Sequence, residues 1–480
     1  MSLAIFADRI ASHRGLRSLF FLTAALISIL LIGYHFGTFD QIIHIPFLKA
    51  TADPSLYPGD AFVALRDPPI SYFWYFLIPF HRWGILEVAI FAAHVLATTL
   101  TFTAIWRLSL TLFGDAAASI LAVIAFIFPH FGFLGFPVIE FSLLNRTFVL
   151  PFLLFAIDLY LNRRYGWAFL LLGLTANLHP LSAGMVTTML LIPTLVEARR
   201  IGFARLLQAA AAFLIAALPL LLLWANNDQP VDLSLRPEWL SIIARGVLTQ
   251  VLFPFAAIPF VLLLTLSGFS AVGLLFIARR KASALAVERP VSQMLLTAGV
   301  IFAVGVFSAQ FLPITVLVEM QLSRVSLFIF IFAYLYFAHS LARTYRTQSL
   351  PPGCFALLAA TFISTPLAIF PLATWGLLGL TKPKRLSWGM VAGCVAGMFA
   401  LCLTIAVSLG VWHPGIHILA PHTDWVAAQE WARTNTPKNA VFITPPEKGS
   451  LYESEWRVFS ERSSVVSIYD LFEIALRPDY

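Results

Sequence analysis

Long apolar runs, each near the length of a bilayer crossing and parted by short polar stretches, dominate this chain. A crossing helix needs roughly 20 apolar residues for about 30 Å of hydrocarbon. Inside lipid the backbone must satisfy its own hydrogen bonds, which leaves helices or closed barrels. The runs show no period-2 alternation, so they read as helices and not as barrel strands. The pattern predicts spans at 18–37, 85–110, 116–135, 144–161, 166–178, 180–197, 204–225, 255–278, 292–312, 325–341, 353–365, 366–380 and 387–410. The fifth and sixth are short and split at His179-Pro180, the eleventh and twelfth at Thr365-Pro366. Each pair reads as two thin crossings or as one broken, re-entrant helix, and the charge pattern below favours two crossings.

Between the runs, residues 38–69 stand out as a polar loop with four aspartates, Asp40, Asp53, Asp60 and Asp67. Ile70 to Phe80 (ISYFWYFLIPF) is too short to span, and its aromatics suit a helix lying among headgroups. Trp239 to Val251 is amphipathic enough to do the same. After Val411 the pattern changes abruptly. A helix is expected from Asp424 to Thr434, stopped by Asn435-Thr436-Pro437, with strands at Ala440–Thr444 and Ser464–Ile468. About 70 residues is near the lower limit for a self-sufficient core, so this segment is expected to rest on the loops at its end of the bundle.

Composition strengthens the membrane reading. The 480 residues are 59% hydrophobic and 11% charged, with mean hydropathy +0.85, whereas soluble domains carry about 25% charged residues. The basic, then apolar, N-terminus resembles a signal peptide, but no small-x-small cleavage pattern follows its near-full-length run, so it is read as a retained helix. The net charge of +7 does not point to nucleic acid, because the charges are sorted by side. If the spans alternate, eighteen of the 31 lysines and arginines fall on the side of Arg9, Arg14 and Arg17, with five of the 24 acids. The positive-inside rule then places the N-terminus in the cytoplasm and the Asp-rich loop and the last 70 residues outside. Cys354, Cys394 and Cys402 all lie in apolar runs without metal or disulfide spacing.

Candidate chemistry gathers at the expected outer ends of the helices. Asp40 follows the first span, where a carboxylate can take a proton from a sugar hydroxyl or hold a divalent cation (Mg or Mn) beside a phosphate; the plain alternative is a turn aspartate. Asp53-Pro54 and Pro58-Gly59-Asp60 read as turn formers, and Asp60 is also carried as a candidate substrate-binding group. Asp67-Pro68-Pro69 is a loop exit. Glu140 sits in FGFLGFPVIEFSLLNR, six residues before Arg146. Either the two form a structural ion pair, or Glu140 is a second acid facing Asp40 while Arg146 holds a phosphate. Glu319, Gln321 and Arg324 repeat the acid-then-arginine order, and Arg324 either grips a lipid phosphate or snorkels to the interface. His179 ends a short helix and reads as a structural or a substrate-binding histidine. His35, His44, His94 and His130 show no metal spacing, and no Walker, GxGxxG or GxSxG motif is present.

Taken together, these features resemble the GT-C class of membrane glycosyltransferases. The resemblance is carried by Asp40 in an acidic loop after the first helix, the aromatic interfacial stretch, the Glu140-to-Arg146 segment, Leu178-His179-Pro180 between short helices, and the tail with Asp424-Trp425, Trp431 and Phe442-Ile443-Thr444-Pro445-Pro446. The acid pair common in that class is reduced here to Phe39-Asp40-Gln41. The resemblance implies an all-α polytopic integral membrane protein of about 11–13 transmembrane helices over residues 1–410, with a small extracytoplasmic α/β segment, 411–480. It implies transfer of a sugar from a polyprenyl-phosphate carrier to an envelope acceptor at the outer face of a bacterial inner membrane. Asp40 would be base or metal ligand, Glu140 a second acid, and Arg146 and Arg324 phosphate holders, with His179 and Gln321 beside the substrate. A lipid or small-solute transporter and a non-catalytic scaffold for envelope assembly are the alternatives.

Overall fold

The computed structural model describes residues 3–65, 70–135, 137–226, 231–245, 253–280, 287–383, 385–408, 410, 412–446 and 453–470. These residues are mostly helical, with little sheet. The helices are α1 (Leu3–Ser12), α2 (Arg14–Ile32), α3 (Gln41–Ala52), α4 (Ala61–Ala64), α5 (Ile78–Arg82), α6 (Leu86–Phe113), α7 (Ala116–Ile127), α8 (Asn145–Leu161), α9 (Tyr165–Ala176), α10 (Pro180–Val196) and α11 (Ala198–Ile201). They continue as α12 (Phe203–Ala225), α13 (Pro237–Arg245), α14 (Pro259–Arg279), α15 (Glu288–Phe311), α16 (Thr315–Glu319), α17 (Ser326–Arg346), α18 (Pro352–Ser364), α19 (Ile369–Thr381), α20 (Trp388–Ser408), α21 (Asp424–Asn435) and α22 (Trp456–Ser460). Four two-residue strands pair in parallel: β1 (Tyr34–His35) with β2 (Ile416–His417), and β3 (Val441–Phe442) with β4 (Ser463–Ser464).

Each expected span coincides with a helix. Among the described residues, seven stretches are long and apolar enough to cross a membrane: α2, α6, α12, α14, α15, the stretch from α16 through α17, and α20. The shorter apolar helices α7, α9, α10, α18 and α19 fill places between them. The third span is a correction. The helix stops at Ile127, and residues 128–144 leave it as irregular chain in which Phe131 bridges both Pro137 and Leu367. The apolar character of that stretch hid a backbone that turns back on itself.

Helix α17 runs through the middle of the bundle and is buried almost all round, packed by α7, α14 and α15. Helices α6, α8, α9 and α12 pack side by side next to it. Gly173 lets α9 close on α12, because a Cβ there would lie 2.5 Å from the Phe213 carbonyl oxygen. The turn from α6 to α7 follows from its residues: Gly114 adopts φ +62°, and the Asp115 carboxylate accepts from the amides of Ala117 and Ala118. Outward, the bundle exposes Phe203, Ile215, Phe276, Leu296, Phe311, Leu380 and Trp388. Apolar exposure on this scale exceeds what a monomer in water carries and suits a lipid surround.

At one end of the bundle sits the C-terminal segment. Trp412 donates its indole N–H to the Leu31 carbonyl, and Tyr34 and Phe36 donate to Gly415 and His417 as β1 pairs with β2. Gly33 permits this contact, with φ +94° and no room for a Cβ beside the His413 carbonyl. Residues 38–65, read from sequence as a loop, instead fold into α3 and α4, which form the floor under the segment. The expected helix at 424–434 is α21, and the two expected strands survive as the short β3–β4 pair. The aromatic stretch at 70–80 forms a 3₁₀ turn (Trp74–Leu77) running into α5, and the stretch at 239–251 is helical through Arg245, its remainder lying outside the described residues. The opposite end of the bundle carries the arginine-rich turns.

Candidate functional site

The first turn of α3 positions Asp40. The residue stands at the helix N-terminus, yet its carboxylate caps none of the helix amides. It accepts instead from Arg146 Nη1 at 2.6 Å. The same guanidinium grips Glu140 with a two-toothed fork, Nε to Oε1 at 2.9 Å and Nη2 to Oε2 at 2.8 Å. All three side chains are largely buried, at 14% exposure for Arg146, 17% for Asp40 and 9% for Glu140. Of the two sequence alternatives, the Glu140–Arg146 ion pair is present, and Glu140 shares that cation with Asp40. Charge-assisted bonds of this kind are short and about twice as strong as neutral ones.

Two further contacts hold the triad in place. Phe39 takes a left-handed conformation (φ +54°), sets its ring 5.7 Å from the Arg146 guanidinium carbon, and meets Phe141 edge-on. Gln41 accepts from the Gly37 amide at 2.9 Å and donates to the Leu143 carbonyl at 3.0 Å. It thus locks α3 to the chain that carries Glu140.

Around the triad the structure gathers most of the other expected residues. Arg324 lies in the 3₁₀ turn Leu322–Val325, just before α17, within electrostatic range of Arg146, Asp40 and Glu140. It lines a small crevice of about 10 Å³ with Gly132, Phe133 and Leu134. Gln321 begins that turn at φ +45°, and its Oε1 is buried without a hydrogen-bond partner among the described residues. His179 caps α10 through Nδ1, which accepts the Ser182 amide at 3.2 Å. Burial, then the charges of Arg324 and Arg146 and the neighbouring His44, holds this imidazole well below its usual pKa. It is neutral at physiological pH, and because Nδ1 is an acceptor, its proton sits on Nε2.

Two contributors escaped the sequence reading. His44 lies on α3 four residues after Asp40, hence on the same helix face. It stacks on Trp74 with ring centroids 4.9 Å apart, and burial pushes its pKa down to about 4 against the pull of Asp40. The Asp40–His44 spacing was the available signal, passed over because the aspartate-rich stretch 38–69 was read as a polar loop. Tyr469, from the C-terminal segment, is buried within electrostatic range of Asp40. Nothing local in the sequence marks it.

Asp60 lies elsewhere. It is buried against Arg457 at 2.8 Å, accepts the Ser464 amide at 3.2 Å, and caps α4 through Val63. Arg457, 1% exposed, also meets Glu455 at 3.2 Å and Asp470 at 3.1 Å. With Lys49 reaching the Val458 carbonyl and Glu461, this cluster rivets the C-terminal segment to α3 and α4. Asp60 is thus a docking group, away from the triad. Asp53, a turn residue by type, is bound by Lys438 of the same segment at 2.8 Å. Asp67 lies outside the described residues.

Among the described residues no three His, Cys, Asp or Glu side chains are grouped to hold a metal. Arg146 already stands between the two carboxylates, where a cation would have to bind.

Residues 423–471 match a family described as a domain of unknown function (DUF6798). The match covers the part of the C-terminal segment that docks on α3 and α4 and supplies Tyr469. No curated protein matches the chain.

Proposed function

We propose that this protein is a GT-C-like membrane glycosyltransferase that moves a sugar from a polyprenyl-phosphate carrier to an envelope acceptor. The observation that carries the reading is the meeting of two carboxylates on one arginine, with a second arginine and two neutral histidines close by, at the helix ends beneath the C-terminal segment. A lipid-borne phosphate is met at such a rim, where charged groups retain contact with water while the carrier chain remains in lipid. In this reading the site faces the extracytoplasmic side of a bacterial inner membrane, with the N-terminus in the cytoplasm, as the bias of lysine and arginine between the two sides suggests.

In this reading the acceptor hydroxyl oxygen attacks the anomeric carbon of the sugar. The bond from that carbon to the phosphate oxygen breaks, and the electron pair leaves with the polyprenyl phosphate. Asp40 takes the hydroxyl proton as general base. Arg146 holds Asp40 oriented and is itself held by Glu140. Arg324 offsets the charge that grows on the departing phosphate. His179 can donate from Nε2 to an oxygen of the same group, and Gln321 supplies a further polar contact. General-base catalysis typically contributes about 10²–10⁴-fold.

The test uses the protein reconstituted in nanodiscs with a polyprenyl-phosphate sugar and an acceptor lipid. Asp40→Asn is expected to reduce transfer by at least ~10²-fold while the protein remains folded, and Arg324→Gln to raise the KM for the lipid donor. Full transfer by Asp40→Asn would reject the assignment.

A further inference from the structure

The arginine-rich end of the bundle holds a cavity of about 450 Å³, lined by Arg163, Arg164 and Arg205 together with Tyr165, Trp167 and Gln208. We infer that this cavity binds the phosphate headgroup of an acidic phospholipid. The inference rests on the helices spanning a membrane and is independent of the transferase reading.

Three observations point to an anionic ligand. First, the three arginines outnumber the carboxylates near them, Glu197 being the one within electrostatic range of Tyr165 in the cavity wall. Four of the five carboxylates at this end are already engaged, Asp115 by Arg346, Asp158 by Arg107, Glu197 by Arg289 and Arg200, and Glu288 by Arg279, and the fifth, Asp8, lies on α1. Among the described residues no carboxylate pairs with Arg163, Arg164 or Arg205, though they stand around one hollow. Second, two helices of substantial length, α9 and α12, both begin here and run side by side. Their amino ends add positive potential to that of the arginines. Third, the close packing of Gly166 on Gln208, where a Cβ would sit 3.3 Å from the amide, forms a floor between the helices and brings Arg164 and Arg205 to one place.

The walls select a lipid over a free anion. Leu170 and Ala212 continue the hollow along the α9–α12 groove. Trp167 is 65% exposed beside it, and Phe203, Leu207 and Leu174 are exposed nearby on the same two helices. A basic headgroup site that opens onto an apolar groove, with a tryptophan at the rim, fits a phosphodiester whose acyl chains lie along the helix pair.

The test measures lipid retained by the full-length protein in native mass spectrometry, after extraction and exchange into nanodiscs of phosphatidylglycerol or phosphatidylcholine. The expected result is tight retention of phosphatidylglycerol over phosphatidylcholine. The double variant Arg164→Gln/Arg205→Gln should weaken that retention at least ~10-fold, while Arg385→Gln, which removes another exposed arginine, leaves it unchanged. Equal retention of the two lipids, an unaffected double variant, or displacement of the lipid by millimolar inorganic phosphate would overturn the inference. Because the substituted arginines are exposed, the far-ultraviolet spectrum of the double variant should match the wild type. If it does not, the single Arg205→Gln variant is read instead, with a loss of at least ~3-fold expected and no loss overturning the inference.

Discussion

Removing Arg146 tests the triad most directly. In Arg146→Leu, three charge-assisted hydrogen bonds of 2.6, 2.8 and 2.9 Å disappear. Asp40 and Glu140 are then left largely buried, facing each other with no cation between them. At an effective dielectric near 20, each pair at contact distance is worth about 4 kcal/mol of Coulomb energy. Stripping the cation from a buried pair typically costs about 3–5 kcal/mol, much of it the charge left behind. The expected loss of stability is therefore on the order of 4 kcal/mol. Arg146→Lys keeps the charge but loses the fork, for a loss of about 1–3 kcal/mol. Unfolding can be followed by thiol labelling of Cys354, which is buried, after Cys394 and Cys402 are replaced by serine. Adding Asp40→Asn and Glu140→Gln to Arg146→Leu removes the stranded charge and should recover roughly half of the loss. If Arg146→Leu unfolds like the wild type, or if the three substitutions simply add, the triad does not bind the loop to the bundle as argued.

Further outcomes follow from the docking of the C-terminal segment and from helix packing. Arg457→Leu strands Asp60, Glu455 and Asp470 and should cost about 3–5 kcal/mol of docking, read as faster hydrogen exchange of the α21 amides; unchanged exchange would refute the role of the cluster. Burial raises the pKa of Glu455 from an ordinary 4.5 to about 7, against the pull of Arg457 and with help from Asp470 and Asp60. The docked state thus holds a proton that the undocked chain has released, so docking should weaken as pH rises from about 4.5 to about 7. The Glu455→Gln variant should flatten that profile, and docking that tightens with rising pH would contradict it. Gly173→Val forces a side chain into the Phe213 backbone and Ala216, 2.5 and 2.8 Å from its Cβ. A loss of about 1–3 kcal/mol is expected in the Cys354 labelling assay, whereas Gly376→Val, at a site with no neighbour within 4 Å, should be near neutral.

The order and rough extent of the helices could be read from sequence because apolar length is a local property: a run such as Phe203–Ala225 declares itself without knowledge of its neighbours. Asp40, Glu140, Arg146, Arg324 and His179 could likewise be nominated, since a charged or polar residue at the end of an apolar run is conspicuous. The reading failed where a local signal misled. The aspartates of residues 38–69 marked the stretch as a loop and so concealed the helix α3 that sets His44 beside Asp40. The apolar residues 128–135 looked like the end of a span, although their backbone turns away.

What tertiary structure alone decided is which of the nominated groups meet. Asp40 and Arg146 are 106 residues apart, and Asp60 and Arg457 are 397 apart. Both aspartates belong to the same polar stretch and look alike as turn residues, yet one lies in the triad and the other holds the C-terminal segment in place. Charge type and spacing along a chain determine what a residue can do. Its partner is set by how helices pack across hundreds of residues, and no periodicity within a single run encodes that.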